Sequence, residues 1–343
     1  MAATMSDVAR RAGVTKQTVS NVVTGRVRVR GDTAERVRAA IEELGYTPNL
    51  VARSLATGST STVGLFVPTV VGSFYAELIE EVEDVLHGRG YHLLLCTTRL
   101  DGERARRQFA GVSSRNVDAL LITGDRDLMD HLPLLADAPF PVVLCAWETA
   151  VPAGYPVVTF DYPAAGRLAG EYLRELGHRR AAVLASPTHD VRVEGFRDGF
   201  GGAADGAESI AVHYAAEPTP AGGFAAAQVA FAADPRPTAL FATHDVLALG
   251  ALEAARAAGL SVPGDVSIIG HDDTPEARQT WPPLSSVAIP TRTMAREAVE
   301  SLLRAITDPD TVARPTTRRL PPLLVTRASC APPNSAPPPP SAG

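Results

Sequence analysis

From residue 62 onward the chain repeats one pattern: a short apolar run of strand length, then a longer stretch with helical spacing of its apolar residues. Apolar runs at 63–67, 91–96, 118–123, 141–145, 181–185, 238–241 and 266–269 read as strands, and 74–88, 164–176 and 245–258 are examples of the helices between them. Such alternation specifies parallel sheets with helices on both faces. More than ten elements over about 265 residues predict two such sheets rather than one.

Composition agrees with a soluble globular protein, with 45% hydrophobic and 20% charged residues among 343. No stretch approaches the roughly 18 consecutive apolar residues of a membrane helix. The first residues lack the charged start, apolar run and small-residue cleavage site of a signal peptide, so a cytoplasmic location is expected. Cys96, Cys145 and Cys330 show no metal spacing, and the first two lie in apolar runs as small hydrophobes. Neither a metal nor a cofactor is expected.

The first 60 residues differ in charge and in pattern. They hold nine Lys or Arg against five Asp or Glu, whereas the whole chain has a net charge of -6. A basic head on an acidic body suits a polyanion-binding module. Thr4-Met5-Ser6-Asp7 fits a capping box, Val8, Ala9 and Ala12 then share one face, and Gly13 stops the helix. Thr15 can cap a second helix with Val19, Val22 and Val23 inward and Lys16, Gln17, Ser20 and Asn21 outward. A third helix over about 33–45, with Val37, Ala40, Ile41 and Leu44, completes a small core. Two short helices around a glycine turn make a helix-turn-helix, whose second helix suits a DNA major groove. Its polar face is either a base-reading edge or an ordinary solvated surface.

Asn49 can cap a helix of about two turns that ends at Gly58, too short to persist alone, so 46–60 is a linker that folds when held. The tail from Ala328 is rich in Pro, Ser and Ala and is expected to be disordered over 328–343.

Residues 6–25 (Ser-Asp-Val-Ala-Arg-Arg-Ala-Gly-Val-Thr-Lys-Gln-Thr-Val-Ser-Asn-Val-Val-Thr-Gly) resemble the headpiece of the lactose/galactose repressor family. Residues 45–58 resemble its hinge, and further matches are Leu-Gly-His-Arg-Arg (176–180), Arg-Val-Glu-Gly-Phe (192–196), Asp-Val-Leu-Ala-Leu-Gly-Ala-Leu (245–252), Val-Pro-Gly-Asp-Val-Ser-Ile-Ile-Gly-His-Asp-Asp (262–273) and Pro-Pro-Leu-Ser-Ser-Val (282–287). The resemblance is collinear from about Thr4 to Arg327. It implies an all-α helix-turn-helix headpiece (1–45), a hinge (46–60) and an α/β core (61–327) of two Rossmann-like subdomains, similar to periplasmic binding proteins. The N-subdomain would comprise about 61–159 and 291–318, the C-subdomain about 162–287 and 320–327, with crossovers near 159–162, 287–291 and 318–320. It further implies a cytoplasmic, nucleoid-associated homodimer that binds double-stranded, pseudo-palindromic operator DNA and answers to a small-molecule effector.

The resemblance assigns residues to these tasks. Lys16, Gln17 and Asn21 match base-reading positions, and their chemistry suits guanine and adenine edges. Thr15, Thr18 and Ser20 suit phosphate contacts. Leu55 matches a hinge leucine that wedges a base step in the minor groove, and Ala52 is small enough for two hinge helices to meet. Arg26-Val27-Arg28-Val29-Arg30-Gly31 departs from the family's Asn and Ser turn, leaving Asp32 to cap the third helix. In the cleft between subdomains, Arg192 and Asp272 match ligand contacts, and a guanidinium fork with a carboxylate suits the hydroxyls of a sugar or nucleoside. Phe74, Thr123, Trp147, His244 and Trp281 complete the expected pocket, the aromatics either as stacking surfaces or as ordinary core. His244 stands where the family often has Asn or Thr, and Ala146 where an acid or arginine is frequent, although Trp147 and Glu148 follow it.

The implied mechanism is allosteric: ligand closure rotates one subdomain on the other and the hinges form or melt. A solute-binding protein would carry a signal peptide and no helix-turn-helix. An enzyme is disfavoured because Asp272-Asp273 comes without a nucleophile motif, phosphate loop or metal cluster, and adjacent strand-end carboxylates point apart.

Overall fold

The computed structural model describes residues 3–24, 27–46, 58–112, 116–124, 128–150, 153–201, 209–308 and 315–333. The hinge positions Ala52 and Leu55 lie outside the described residues.

Three helices form the head: α1 (Met5–Ala12), α2 (Lys16–Thr24) and α3 (Gly31–Leu44). The Thr4 hydroxyl accepts from the Asp7 N–H while the Asp7 carboxylate accepts from the Thr4 N–H, closing the capping box. Gly13, at φ +64°, gives the left-handed turn that ends α1 and starts the bend into α2. Val8, Ala9, Ala12, Val19, Val37 and Ala40 form the buried core where the three helices meet. The Arg36 guanidinium donates to the Ala12 carbonyl, fixing α3 against the end of α1. Asp32 does not cap α3. Arg30 occupies the N-cap without a side-chain bond, and Asp32, inside the first turn, accepts from the Thr33 N–H.

The core holds two six-stranded sheets. The first has the order β11-β5-β4-β3-β1-β2, built from β1 (Thr62–Val67), β2 (His92–Thr97), β3 (Ala119–Thr123), β4 (Val142–Cys145), β5 (Val157–Phe160) and β11 (Thr317–Leu320), all pairs parallel. The second has the order β12-β10-β9-β8-β6-β7, from β6 (Arg180–Ala185), β7 (Ser209–Tyr214), β8 (Ala239–Ala242), β9 (Ser267–Asp272), β10 (Ser285–Ala288) and β12 (Leu323–Val325). Only β12 runs antiparallel to its neighbour. In both sheets the central strands are buried on both faces, as their continuous apolar runs require. Flanking helices are α4 (Ser73–Gly88), α5 (Gly102–Gly111), α6 (Tyr162–Glu175), α7 (Asp190–Phe200), α8 (Pro220–Phe231), α9 (Asp245–Ala257), α10 (Pro275–Gln279) and α11 (Thr291–Thr307).

The chain passes between the sheets three times: from β5 into α6, from β10 into α11, and from β11 into β12. Each crossover therefore lies at the strand ends where the two subdomains face one another.

Helices α6 and α7 of the second subdomain approach through glycine. A Cβ on Gly166 of α6 would fall 2.1 Å from the Arg192 carbonyl oxygen of α7, and one on Gly195 would fall 2.1 Å from the Pro163 carbonyl oxygen. Gly170 and Gly199 repeat this one turn later, against Phe196 and Arg167. Only glycine allows these backbones to touch, and the contact sets where α7 carries Arg192.

The chain does not loosen at Ala328 as composition predicted. Ser329 is fully buried; its hydroxyl donates to the Ile268 carbonyl at 2.5 Å and accepts from the Ser285 N–H at 2.8 Å. His178 of the Leu-Gly-His-Arg-Arg motif bonds Thr238 through Nδ1 and the Ala331 carbonyl through Nε2. Small polar residues anchor here through backbone pairing rather than apolar bulk, which composition does not reveal.

Candidate functional site

The outer face of α2 carries the residues predicted to read DNA. The Thr15 hydroxyl accepts from the Thr18 N–H at 3.2 Å, capping the helix so that its first turn projects freely. Lys16 and Gln17 are exposed and Thr18, Ser20 and Asn21 half-buried, while Val19 points into the core. The Gln17 amide donates to the Asn21 carbonyl oxygen at 3.1 Å, so these two side chains lie together one turn apart. Lys16, Gln17 and Asn21 thus share one polar surface over a rigid base.

The second site lies where strand ends of the two sheets oppose. Arg192, 4% exposed on the first turn of α7, reaches across to Glu148 beyond β4. Its Nε and Nη2 meet the two Glu148 oxygens at 2.8 and 2.7 Å, a bidentate pair between the subdomains. Its Nη1 donates to the Thr243 carbonyl at 2.6 Å, and the Tyr162 ring lies 4.6 Å from the guanidinium carbon. Burial alone would lower the Arg192 pKa, yet Glu148 more than offsets it and holds the guanidinium charged.

Asp272 ends β9 in a left-handed conformation, φ +116°, and Asp273 follows at φ +57°. Such backbone persists only where surroundings enforce it. Here the Asp273 N–H donates to Ser286, the Thr274 N–H donates to Asp245, and Arg327 and Arg278 grip the Asp273 carboxylate. The two neighbouring carboxylates therefore point to different partners. Asp272 faces His244 Nδ1 at 3.1 Å and His271 Nδ1 at 2.9 Å. Burial would raise its carboxyl, but the two rings and their hydrogen bonds hold it well below the usual carboxylate range. His271 is pushed down to about 4 by burial and by Arg192, so it is neutral at ordinary pH and its Nδ1–H donates to Asp272. Beneath them Asp245 is pushed up to about 8 by burial and the Asp272 charge. The His189 ring stacks edge-on to His244 at 4.3 Å and lies 3.8 Å from Glu148, completing a chain of polar groups from Arg192 to Asp272.

At the rim, the Ser73 hydroxyl at the start of α4 meets both Glu276 oxygens on α10, at 2.6 and 2.7 Å. Phe74 follows it, half-buried and edge-on to Tyr75.

Three expected pocket residues do not join this cluster. Thr123 is fully buried at the end of β3 and its hydroxyl donates to the Phe66 carbonyl. Ala146 turns the chain at φ +53°, which directs Trp147 into the apolar cluster with Phe66, Leu144 and Val157, 1% exposed, and leaves Glu148 to face Arg192. Trp281 is 93% exposed. Glu148, Tyr162, His189 and His271 are the site residues absent from the expected set. A strand-end position just past an apolar run was the available signal for Glu148 and Tyr162.

Family models match both parts of this architecture: the lacI family of bacterial regulatory proteins over residues 4–49, and a periplasmic binding protein-like domain over 171–330. The chain is 34% identical over 334 residues to the HTH-type transcriptional repressor PurR of Haemophilus influenzae (strain PittEE), covering 95% of this chain and 98% of that one. The chain belongs to the lacI family. The ribose operon repressor of Escherichia coli (strain K12) is 32% identical, over 95% of this chain and 99% of its own. Among solved structures, the Lac repressor dimer bound to operator and the anti-inducer ONPF superposes with a TM-score of 0.84 at 26% identity, covering 96% of this chain and all of that one. These lacI-family relatives are repressors. In this member, among the described residues, no helix is long and apolar enough to cross a membrane and no group of His, Cys, Asp and Glu is arranged to hold a metal ion.

Proposed function

We propose that this chain is a homodimeric, cytoplasmic transcriptional repressor whose operator affinity is set by a sugar or nucleoside bound between the subdomains. The observation that carries this reading is the pairing in one chain of a capped helix presenting Lys16, Gln17 and Asn21 with a cleft where Arg192, Asp272 and His244 converge. On DNA, Lys16 would donate to guanine, Gln17 and Asn21 would exchange their mutual bond for adenine edges, and Thr15, Thr18 and Ser20 would meet phosphates. Leu55 would wedge the central base step of the operator, with Ala52 at the meeting of the two hinge helices.

In the cleft, Asp272 accepts hydroxyl protons and Arg192 donates through the N–H groups not held by Glu148 and Thr243, the balance that a polyol needs. A ligand touching both walls changes the contacts at Glu148 and at the Ser73–Glu276 bridge, and so favours one relative position of the subdomains. Asp118 passes that position toward the hinge: its carboxylate accepts from the Ser59 and Thr60 hydroxyls and the Thr60 and Ser61 N–H groups, fixing the segment where the hinge enters the core. The reading contains no catalytic step.

The test combines a thermal-shift screen of sugars and nucleosides with gel shifts on DNA upstream of the protein's own gene. A stabilising ligand should also change operator affinity. One that stabilises the core and leaves operator affinity unchanged would overturn the reading.

A further inference from the structure

Glu148 closes the face of Arg192 that recognises anions. Guanidinium takes a carboxylate or phosphate through two parallel N–H groups. In this chain the Nε/Nη2 face is filled by Glu148 at 2.8 and 2.7 Å, and an Nη1 N–H is held by the Thr243 carbonyl at 2.6 Å. The His271 Nδ1 atom, 3.3 Å from Nη1, donates to Asp272 and so offers Arg192 no lone pair.

The surroundings are acidic as well. Two nearly buried carboxylates, Glu148 and Asp272, each with a side chain 9% exposed, face a single guanidinium. A third carboxyl, Asp245, is buried behind Asp272 and bonded to Ser286 and Thr274. In so dry a place, an incoming phosphate would meet two like charges and a guanidinium whose Nε/Nη2 fork is already filled. Uncharged hydroxyls meet no such obstacle, because each carboxylate accepts from them.

We infer that Glu148 is the specificity-determining residue of the cleft: it occupies the Arg192 fork, excludes phosphorylated and other anionic effectors, and restricts the site to uncharged polyhydroxyl compounds. The inference rests on the cleft being the effector site. It predicts that removing one carboxylate converts the cleft into an anion site.

The experiment uses the full chain and two probes, inorganic phosphate and ribose 5-phosphate, each against chloride at matched ionic strength. Wild type should show no saturable, phosphate-specific rise in Tm beyond that control. Glu148→Gln, which keeps the volume and one acceptor oxygen, and Glu148→Ala should each gain a saturable rise of several degrees. The gain should vanish in Glu148→Gln/Arg192→Lys, which lacks the planar fork. Phosphate held by the basic head contributes equally to all variants, so the difference from wild type is the readout.

A wild-type response equal to that of the variants, or no gain in whichever Glu148 variant folds, would overturn the inference. If the variants gain the phosphate response while no probe or sugar alters operator affinity in any protein, selection by Glu148 stands and the effector reading falls. A neutral ligand that alters wild-type operator affinity, together with variants blind to phosphate, gives the reverse result.

Discussion

The recognition helix and the cleft both present polar side chains to partners, and they handle those side chains in opposite ways. On α2 Lys16 and Gln17 stand in water, and Gln17 meets the half-buried Asn21 through one local bond. In the cleft the polar groups are withdrawn from water and satisfy one another across the subdomain boundary, from Arg192 and Glu148 through His189 to His244 and Asp272. Water solvates the first set at no cost to folding. The second set loses hydration, so each member depends on its neighbour. Binding and stability should therefore separate on α2 and be coupled in the cleft.

The sharpest way to break that contrast is Arg192→Ala. It strands the Glu148 carboxylate in a site where its side chain is 9% exposed, and uncompensated buried charge costs about 3–5 kcal/mol. Denaturant unfolding of the core should show a loss of that order, and a loss below about 1 kcal/mol would mean that the cleft pairs do not stabilise the core. Gly166→Ala comes next. The new methyl would lie 2.1 Å from the Arg192 carbonyl oxygen, so α6 and α7 must separate at a cost of about 1–3 kcal/mol. Ligand affinity should fall with it, because α7 carries Arg192. On α2 the effects should divide: Gln17→Ala should weaken operator binding by about 1–3 kcal/mol in gel shifts and leave Tm unchanged. A parallel fall in Tm would show that Gln17 has a folding role.

Much of this arrangement was readable in the sequence, and the unreadable part has a physical cause. The apolar runs that became β1, β3, β4, β6 and β8 announce themselves because strands buried on both faces are apolar at nearly every position. The missed strands are short or edge elements such as β11, Thr-Arg-Arg-Leu, whose outer positions face solvent. Arg192 and Asp272 sit in recognisable motifs, and His244 directly precedes one. Glu148 and Tyr162 reach Arg192 only through the crossed connections of the two sheets, so no local pattern pairs them. Residue type left Trp147 open between cleft and core because it does not say to which side of a strand end a side chain turns; the left-handed Ala146 decides that. The spacings Gly166/Gly170 and Gly195/Gly199 were visible, but a glycine pair names no partner helix.

The smallest effects concern pH, and they separate the two regions most cleanly because α2 carries neither a carboxylate nor a histidine. His271 has an ordinary value of 6.5 and is pushed down to about 4. Between those values the unfolded chain binds a proton that the folded chain refuses, so this residue makes stability rise with pH across that window. Asp245 acts with the opposite sign. Its ordinary value is 3.8 and it is pushed up to about 8, so the folded chain holds a proton that the unfolded chain has released, and stability falls as pH rises between them. The two slopes oppose in the acid window, and above it the Asp245 slope continues without that of His271. His271→Gln should reduce the rise of stability in the acid window, leaving the part that His178, His213 and Asp272 contribute with the same sign. Asp245→Asn should remove the falling limb, leaving a rise that levels off near neutrality. Unfolding midpoints of wild type and both variants across this range test the pair, and parallel curves for all three would show that neither group titrates differently on folding.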